Sequence, residues 1–153
     1  MKTVYECAGN LHMHTTYSDG SGTHADIAQA AIRAGLDFVI VTDHNVHVSG
    51  IEGYYYGKSR EERVLLLVGE EIHDMRRDSQ ANHLLVYATN GELSQHAANP
   101  QHLIDEIKKQ GGFCYIAHPC ERAAPLFDEG SIPWEEWDIK DYTGIELWNY
   151  MSE

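Results

Sequence analysis

Short apolar runs in this chain stop abruptly at histidines and carboxylates. Phe38-Val39-Ile40-Val41 runs into Thr42-Asp43-His44-Asn45. Val64-Leu65-Leu66-Leu67-Val68 runs into Gly69-Glu70-Glu71-Ile72-His73, and Phe113-Cys114-Tyr115-Ile116-Ala117 into His118-Pro119. A brief, unbroken apolar run reads as a strand buried on both faces, the kind found in parallel sheets. Further strands are expected within residues 4–14, over His83-Leu84-Leu85-Val86-Tyr87, and over Gly144-Ile145-Glu146-Leu147-Trp148. Helical patterns separate them. Thr23 is a suitable N-cap with Asp26 in the first turn, Ile27, Ala30, Ala31 and Ala34 follow at helical spacing, and Gly35 stops the helix. Asn99 caps a second helix with Pro100 at its first position, Leu103, Ile104 and Ile107 form its apolar face, and Gly111-Gly112 ends it. Tyr54-Tyr55-Tyr56 reads as a partly buried loop. Residues 121–141 read as mostly loop, with a short helix near residues 133–137.

This alternation argues for an α/β fold with a largely parallel sheet, either doubly wound or closed as a barrel. In both, the C-terminal ends of the strands open onto one face, where ligands bind. Residues far apart in sequence then converge: His12 and His14 from the first strand, Asp43 and His44 from the second, Glu70 and Glu71 from the third, His118 from the fifth. His12-x-His14 places both imidazoles on one side of a strand, because the strand period is two. Asp19, in the glycine-rich loop that follows, either stabilises a turn or holds a metal. His44 suits metal binding, with Asp43 orienting a ligand or accepting a hydrogen bond beside it. Glu71 would be costly to bury uncompensated, so it needs either a metal or an ion pair with Arg76 or Arg77. His83 opens an apolar strand, where an unpaired polar ring is awkward and ligation offers a use for it. His47 and His73 lie near enough to reach a substrate. His24, His96 and His102 read as solvated, and Trp134, Trp137 and Trp148 as core.

Composition narrows the classes. There are ten histidines, and 11 basic against 24 acidic residues give a net charge of −13. Histidine is the commonest metal ligand, whereas that charge repels phosphate backbones, so no nucleic acid beyond short nucleotides is expected as a partner. The three cysteines, an odd number, read as reduced thiols. No apolar run approaches the roughly 18–20 residues of a membrane span, and the first residues lack the apolar segment of an export signal. The expectation is a cytoplasmic protein without membrane attachment.

Taken together, Asn10-Leu11-His12-Met13-His14-Thr15, Tyr17-Ser18-Asp19-Gly20, Val41-Thr42-Asp43-His44-Asn45, Gly69-Glu70-Glu71-Ile72, His83 and Ala117-His118-Pro119 resemble the PHP family, named for polymerase and histidinol phosphatase. The resemblance implies a distorted (β/α)7 barrel holding two or three divalent or trivalent ions (Zn, Mn or Fe) and hydrolysing phosphate esters. It implies metal ligation by His12, His14, Asp19, His44, Glu71, His83 and His118, with Glu71 preferred over Glu70 because the family acid stands two residues after the glycine. On that reading His44 or His118, with Asp43, assists the leaving group. Arg76, Arg77, Arg122 and His47, or Lys58 and Arg60, hold a small phosphorylated substrate. Family chains usually continue with a late Asp-x-His pair that this sequence lacks. A seven-unit barrel needs roughly 200 residues, so the barrel is expected to be a single domain, incomplete at its C-terminus, with a second copy covering the open edge. A metal-binding module without activity, and a barrel hydrolase of C–N bonds, are the alternatives.

Overall fold

The structure, a computed structural model, describes residues 3–124 and 130–149. In chain order the elements are β1 (Gly9–Asn10), α1 (His24–Ala34), β2 (Phe38–Val41), β3 (Gly53–Tyr56), β4 (Arg63–Ile72), β5 (Leu84–Tyr87), a 3-10 turn (Ser94–His96), α2 (Pro100–Lys109), β6 (Phe113–Ile116) and β7 (Gly144–Ile145). Both helices start where local chemistry dictates. The Thr23 hydroxyl accepts from Asp26 N while Thr23 N donates to the Asp26 carboxylate, a reciprocal capping box. Gly35 closes α1 at φ 73°, in the left-handed region. At α2 the Asn99 side chain accepts from His102 N and Pro100 occupies the first turn.

The strands form one curled sheet in the order β1-β2-β4-β5-β6-β7, with β3 beside β4. Strands β1, β2 and β4 run parallel, as do β6 and β7. Strands β3 and β5 run against their neighbours. The largely parallel sheet expected from the sequence is therefore mixed. No helix separates β4 from β5, and a parallel crossover usually needs one, so the chain turns back beside β4. Strand β4 is long enough to change partners, pairing with β2 and β3 over its first half and with β5 from Gly69 onward. Gly69 permits the switch, since a Cβ there would stand 2.5 Å from Val86 O.

Other expectations are corrected. Tyr54-Tyr55-Tyr56 is strand, not loop. The first and last strands shrink to two residues each, and no helix forms over residues 133–137. Trp134 is buried, but Trp137 and Trp148 are exposed. His24 is buried rather than solvated.

Alternate faces of the sheet carry different loads. On the helix side, Val39, Val41, Val64, Leu66 and Val68 pack with Ala28 and Ala31 of α1. Farther along the same side, Ile72, Leu84, Val86, Cys114 and Ile116 pack with Leu103, Ile104 and Ile107 of α2, and with Trp134. The inner face is lined by Leu85, Tyr87 and Ala117, with Ile40 and Tyr115 beside them. Among the described residues no helix is long and apolar enough to cross a membrane.

Candidate metal centre

Strand β4 carries Glu71 on the inner face, next to its last residue, and the carboxylate is 1% exposed. Histidines from other elements close around it. Oε2 lies 2.8 Å from His12 Nε2, 3.1 Å from His14 Nε2 and 3.4 Å from His44 Nδ1. Oε1 lies 2.7 Å from His83 Nδ1 and 2.9 Å from His118 Nε2. The reversal of β5 explains His83. It precedes its strand, but that strand starts where β4 ends, with Leu84 paired to Ile72. The beginning of an antiparallel strand thus joins the C-terminal ends of the parallel ones.

Asp19 stands 3.5 Å from both His14 Nδ1 and His44 Nε2. Its loop is folded tightly. Gly20 N donates to Thr15 O, and a Cβ at Gly20 would collide with the His14 carbonyl. Asp43 organises this loop rather than touching the cluster: its carboxylate accepts from Thr15 N (2.6 Å), Thr15 Oγ1 (2.7 Å) and Ser18 Oγ (2.8 Å). Of the two roles expected from the sequence, orienting a ligand or accepting a hydrogen bond beside the site, these contacts are of the second kind.

A carboxylate offers about four lone-pair sites, fewer than the imidazoles gathered here. The consequence is visible in His44 Nδ1, buried without a hydrogen-bond partner; His83 Nε2, on the ring edge away from Glu71, is likewise buried and unpartnered. Such orphaned ring nitrogens are costly unless something else engages them. Three groups, His12/His14/Glu71, His14/Asp19/His44 and His44/Glu71/His83, each bring ligand atoms within 4.8 Å of one another. The donors are imidazole nitrogens and carboxylate oxygens, a set that suits zinc, iron or manganese and not thiophilic ions. The residues therefore fit a cluster of metal ions.

Without metal, charge compensation falls to protons. Burial alone would raise the Glu71 carboxyl, but hydrogen bonds from His118, His12, His14 and His83 outweigh it and hold the group well below the usual range. Burial pulls His12 down, yet Glu146 and Glu71 together lift it to about 9. Burial likewise opposes His118, which Glu121 (2.7 Å from Nδ1) and Glu71 lift to about 10. His44 and His73 are instead pushed down, first by burial; His73, further repelled by His83 and His44, falls to about 4.

The cluster forms the floor of a cavity of about 1370 Å³, walled in part by Tyr17, Arg77, Gln80 and Ile132. Arg77 pairs with Glu135 at 2.7 Å on that wall. Arg76 is tied to Asp74 at 2.9 Å and lines a smaller neighbouring hollow. Arg122, Lys58, Arg60 and His47 line neither cavity, whereas His73 lines both and stacks on His83 at 4.3 Å. Sequence reasoning overlooked Glu146, Glu121 and Asn149. Glu146 accepts from His12 Nδ1 at 2.9 Å and from His118 N at 3.0 Å. The signal was present, since Glu146 also follows an apolar strand residue, Ile145.

An open α/β sheet with a histidine- and carboxylate-lined cavity at its strand ends defines a metal-site protein of barrel type. The PHP domain model matches residues 10–128, and the chain belongs to that family. It is 29% identical over 151 residues to an uncharacterized protein of Methanocaldococcus jannaschii, a match that covers 92% of this chain and 80% of that one. It is 38% identical over 45 residues to the DNA polymerase/3'-5' exonuclease PolX of Bacillus subtilis, covering 29% of this chain and 8% of that one. Among solved structures, a two-domain protein from Bacteroides vulgatus, described as containing a predicted PHP-like metal-dependent phosphoesterase, superposes with a TM-score of 0.54 at 23% identity. That match covers 74% of this chain and 35% of the other, and it shows a shared PHP-like fold.

Proposed function

We propose that the chain is a metal-dependent phosphoesterase that hydrolyses a small phosphorylated substrate. The observation that carries this reading is the convergence of five histidines on the buried Glu71 carboxylate at the floor of an open cavity. His12, His14, Asp19, His44, Glu71, His83 and His118 would hold two or three ions, with zinc, manganese and iron the candidates. When bound, such ions lower the pKa of a water molecule and stabilise charge developing on phosphate oxygens. The chain's own groups supply position and polarity. His44, whose side chain is 23% exposed, faces the cavity more openly than His118 at 7%. Of the two, whichever is not committed to an ion would assist a leaving group, and His44 is the better placed. Arg77, on the cavity wall, can exchange Glu135 for a substrate phosphate, since a guanidinium makes bidentate phosphate contacts. The chain works in the cytoplasm, where free thiols persist.

Purified protein loaded with Mn²⁺ or Zn²⁺ should hydrolyse p-nitrophenyl phosphate or nucleotide mono- and diesters, and His12→Ala should be inert. Metal-loaded protein with no turnover on any of these would point to a binding module instead.

A further inference from the structure

The inner sheet has two ends, and a single carboxylate ties them together. Glu146 follows β7, the last strand of the sheet. Its Oε1 lies 2.9 Å from His12 Nδ1, on the segment after β1 at the opposite end of the strand order. Its Oε2 accepts from the backbone N–H of His118 at 3.0 Å. The Glu146 backbone is itself anchored, its N–H donating to Ile116 O at 2.8 Å.

Each contact has a consequence for a different histidine. A carboxylate only accepts, so without metal both His12 nitrogens, Nδ1 toward Glu146 and Nε2 toward Glu71 at 2.8 Å, carry protons. An ion held by Nε2 would displace only the proton facing Glu71, and Glu146 would keep the one on Nδ1. Asn149 Nδ2 stands 3.1 Å from the same Nδ1. A proton on that nitrogen requires the other orientation of the Asn149 amide, with its oxygen toward the ring. At His118 the backbone holds φ 24°, a conformation rarely adopted by a residue with a side chain. The bond from His118 N–H to Glu146 keeps that backbone in place, and with it the aim of Nε2 at Glu71.

We propose that Glu146 is a positioning residue for the metal centre: it sets the tautomer of His12 and the backbone of His118, so that both imidazoles present Nε2 to the site across the open side of the sheet. This inference rests on the metal-site reading above but not on phosphoester hydrolysis, and its readouts are independent of turnover.

The test uses the full chain, stripped of metal and titrated with Zn²⁺ alone. Glu146→Gln is the informative variant. Its amide oxygen can still accept from His118 N–H, but its amide N–H₂ then faces His12 Nδ1 and drives the proton to Nε2. Zinc affinity, from competition with a chromophoric chelator, should fall about 10–100-fold. The melting temperature of the metal-free protein should fall, though less than for Glu71→Gln, because the variant removes one of the two carboxylates facing His12 but keeps shape and one hydrogen bond. Affinity is read at a temperature where the variant is folded. Zinc affinity within twofold of the parent, in a folded variant, would overturn the proposal. A second measurement needs no variant. Long-range ¹H–¹⁵N correlation spectra of the zinc-loaded parent should show His12 protonated at Nδ1 and ligating through Nε2; the opposite tautomer would overturn the proposal even if Glu146→Gln failed to fold. Failure of the hydrolysis assays with both of these results intact would remove the proposed reaction and leave this assignment standing.

Discussion

Glu70 and Glu71 are adjacent, equally buried and chemically identical, yet strand alternation sends them into opposite environments. Glu71 faces inward and meets imidazole nitrogens on both oxygens. Glu70 shares the helix side of β4 with Val68 and Ile72, which belong to two separate apolar clusters. Its Oε2 accepts from Leu93 N at 3.1 Å, and its Oε1 has no partner. Burial raises the Glu70 carboxyl to about 8, opposed by the Leu93 N–H and aided by nearby Glu92, whereas Glu71 is held well below the usual range. Burial by itself neutralises a carboxylate, and cationic partners are needed to keep it charged. A metal site is the face where the charge is kept.

The largest effect expected is at Glu71. Glu71→Gln should weaken zinc binding by about 100-fold or more. It should also cost about 3–5 kcal/mol of stability, since it strands imidazolium groups around a neutral amide. Chelator competition and urea titration check the two parts. If Glu70→Gln lost zinc equally, the contrast between the faces would collapse.

Glu70 should respond to pH instead. Its folded pKa, about 8, lies above the ordinary 4.5, so the unfolded chain releases this proton first. The group leaves stability intact below about pH 4.5 and subtracts it progressively as pH rises toward 8. At pH 7 the deficit is about 3 kcal/mol. Glu70→Gln should therefore be more stable than the parent at pH 7–8 and no different near pH 4.5, with zinc content unchanged. Urea denaturation across that range reads it.

Zinc should act only through the inner face. At a hundred times its Kd it adds about 2.7 kcal/mol to the folded state, roughly 5–10 °C in Tm for a chain of this size. Scanning calorimetry after chelator dialysis, with and without zinc, should show that shift in the parent and in Glu70→Gln, and not in Glu71→Gln. The smallest effect is remote from both carboxylates. Thr23→Ala removes the cap of α1 and should cost about 1 kcal/mol while leaving zinc affinity alone. A matching loss of zinc would mean that the helix side and the inner face are more tightly coupled than their separate clusters imply.

Much of this was legible in sequence because it is local. Thr23 and Asp26, Asn99 and Pro100, and Gly35 announce helix ends through contacts a few residues apart. Apolar runs that end in His44, Glu71 and His118 announce strand ends carrying polar side chains. What stayed hidden is non-local. Tyr54-Tyr55-Tyr56 gave no sign of being a strand, because β3 is defined by its pairing with the first half of β4. The short loop before His83 left its strand either antiparallel to β4 or an offset neighbour, and the pairing itself settles it as antiparallel.

The sequence alone determined which residue types could make a metal site, and that strand ends would present them, since alternation and capping depend on neighbours along the chain. The fold assigned Asp43 to the Thr15 loop and not to the cluster. It alone brought Glu146 across the open side of the sheet to His12, 134 residues away in the chain. It also decided that of two adjacent buried glutamates one is solvated by histidines and the other is not. The physical reason is the same in each case. A hydrogen bond or an ion pair is set by which surfaces the curled sheet brings within 3 Å, and no spacing along the chain records that.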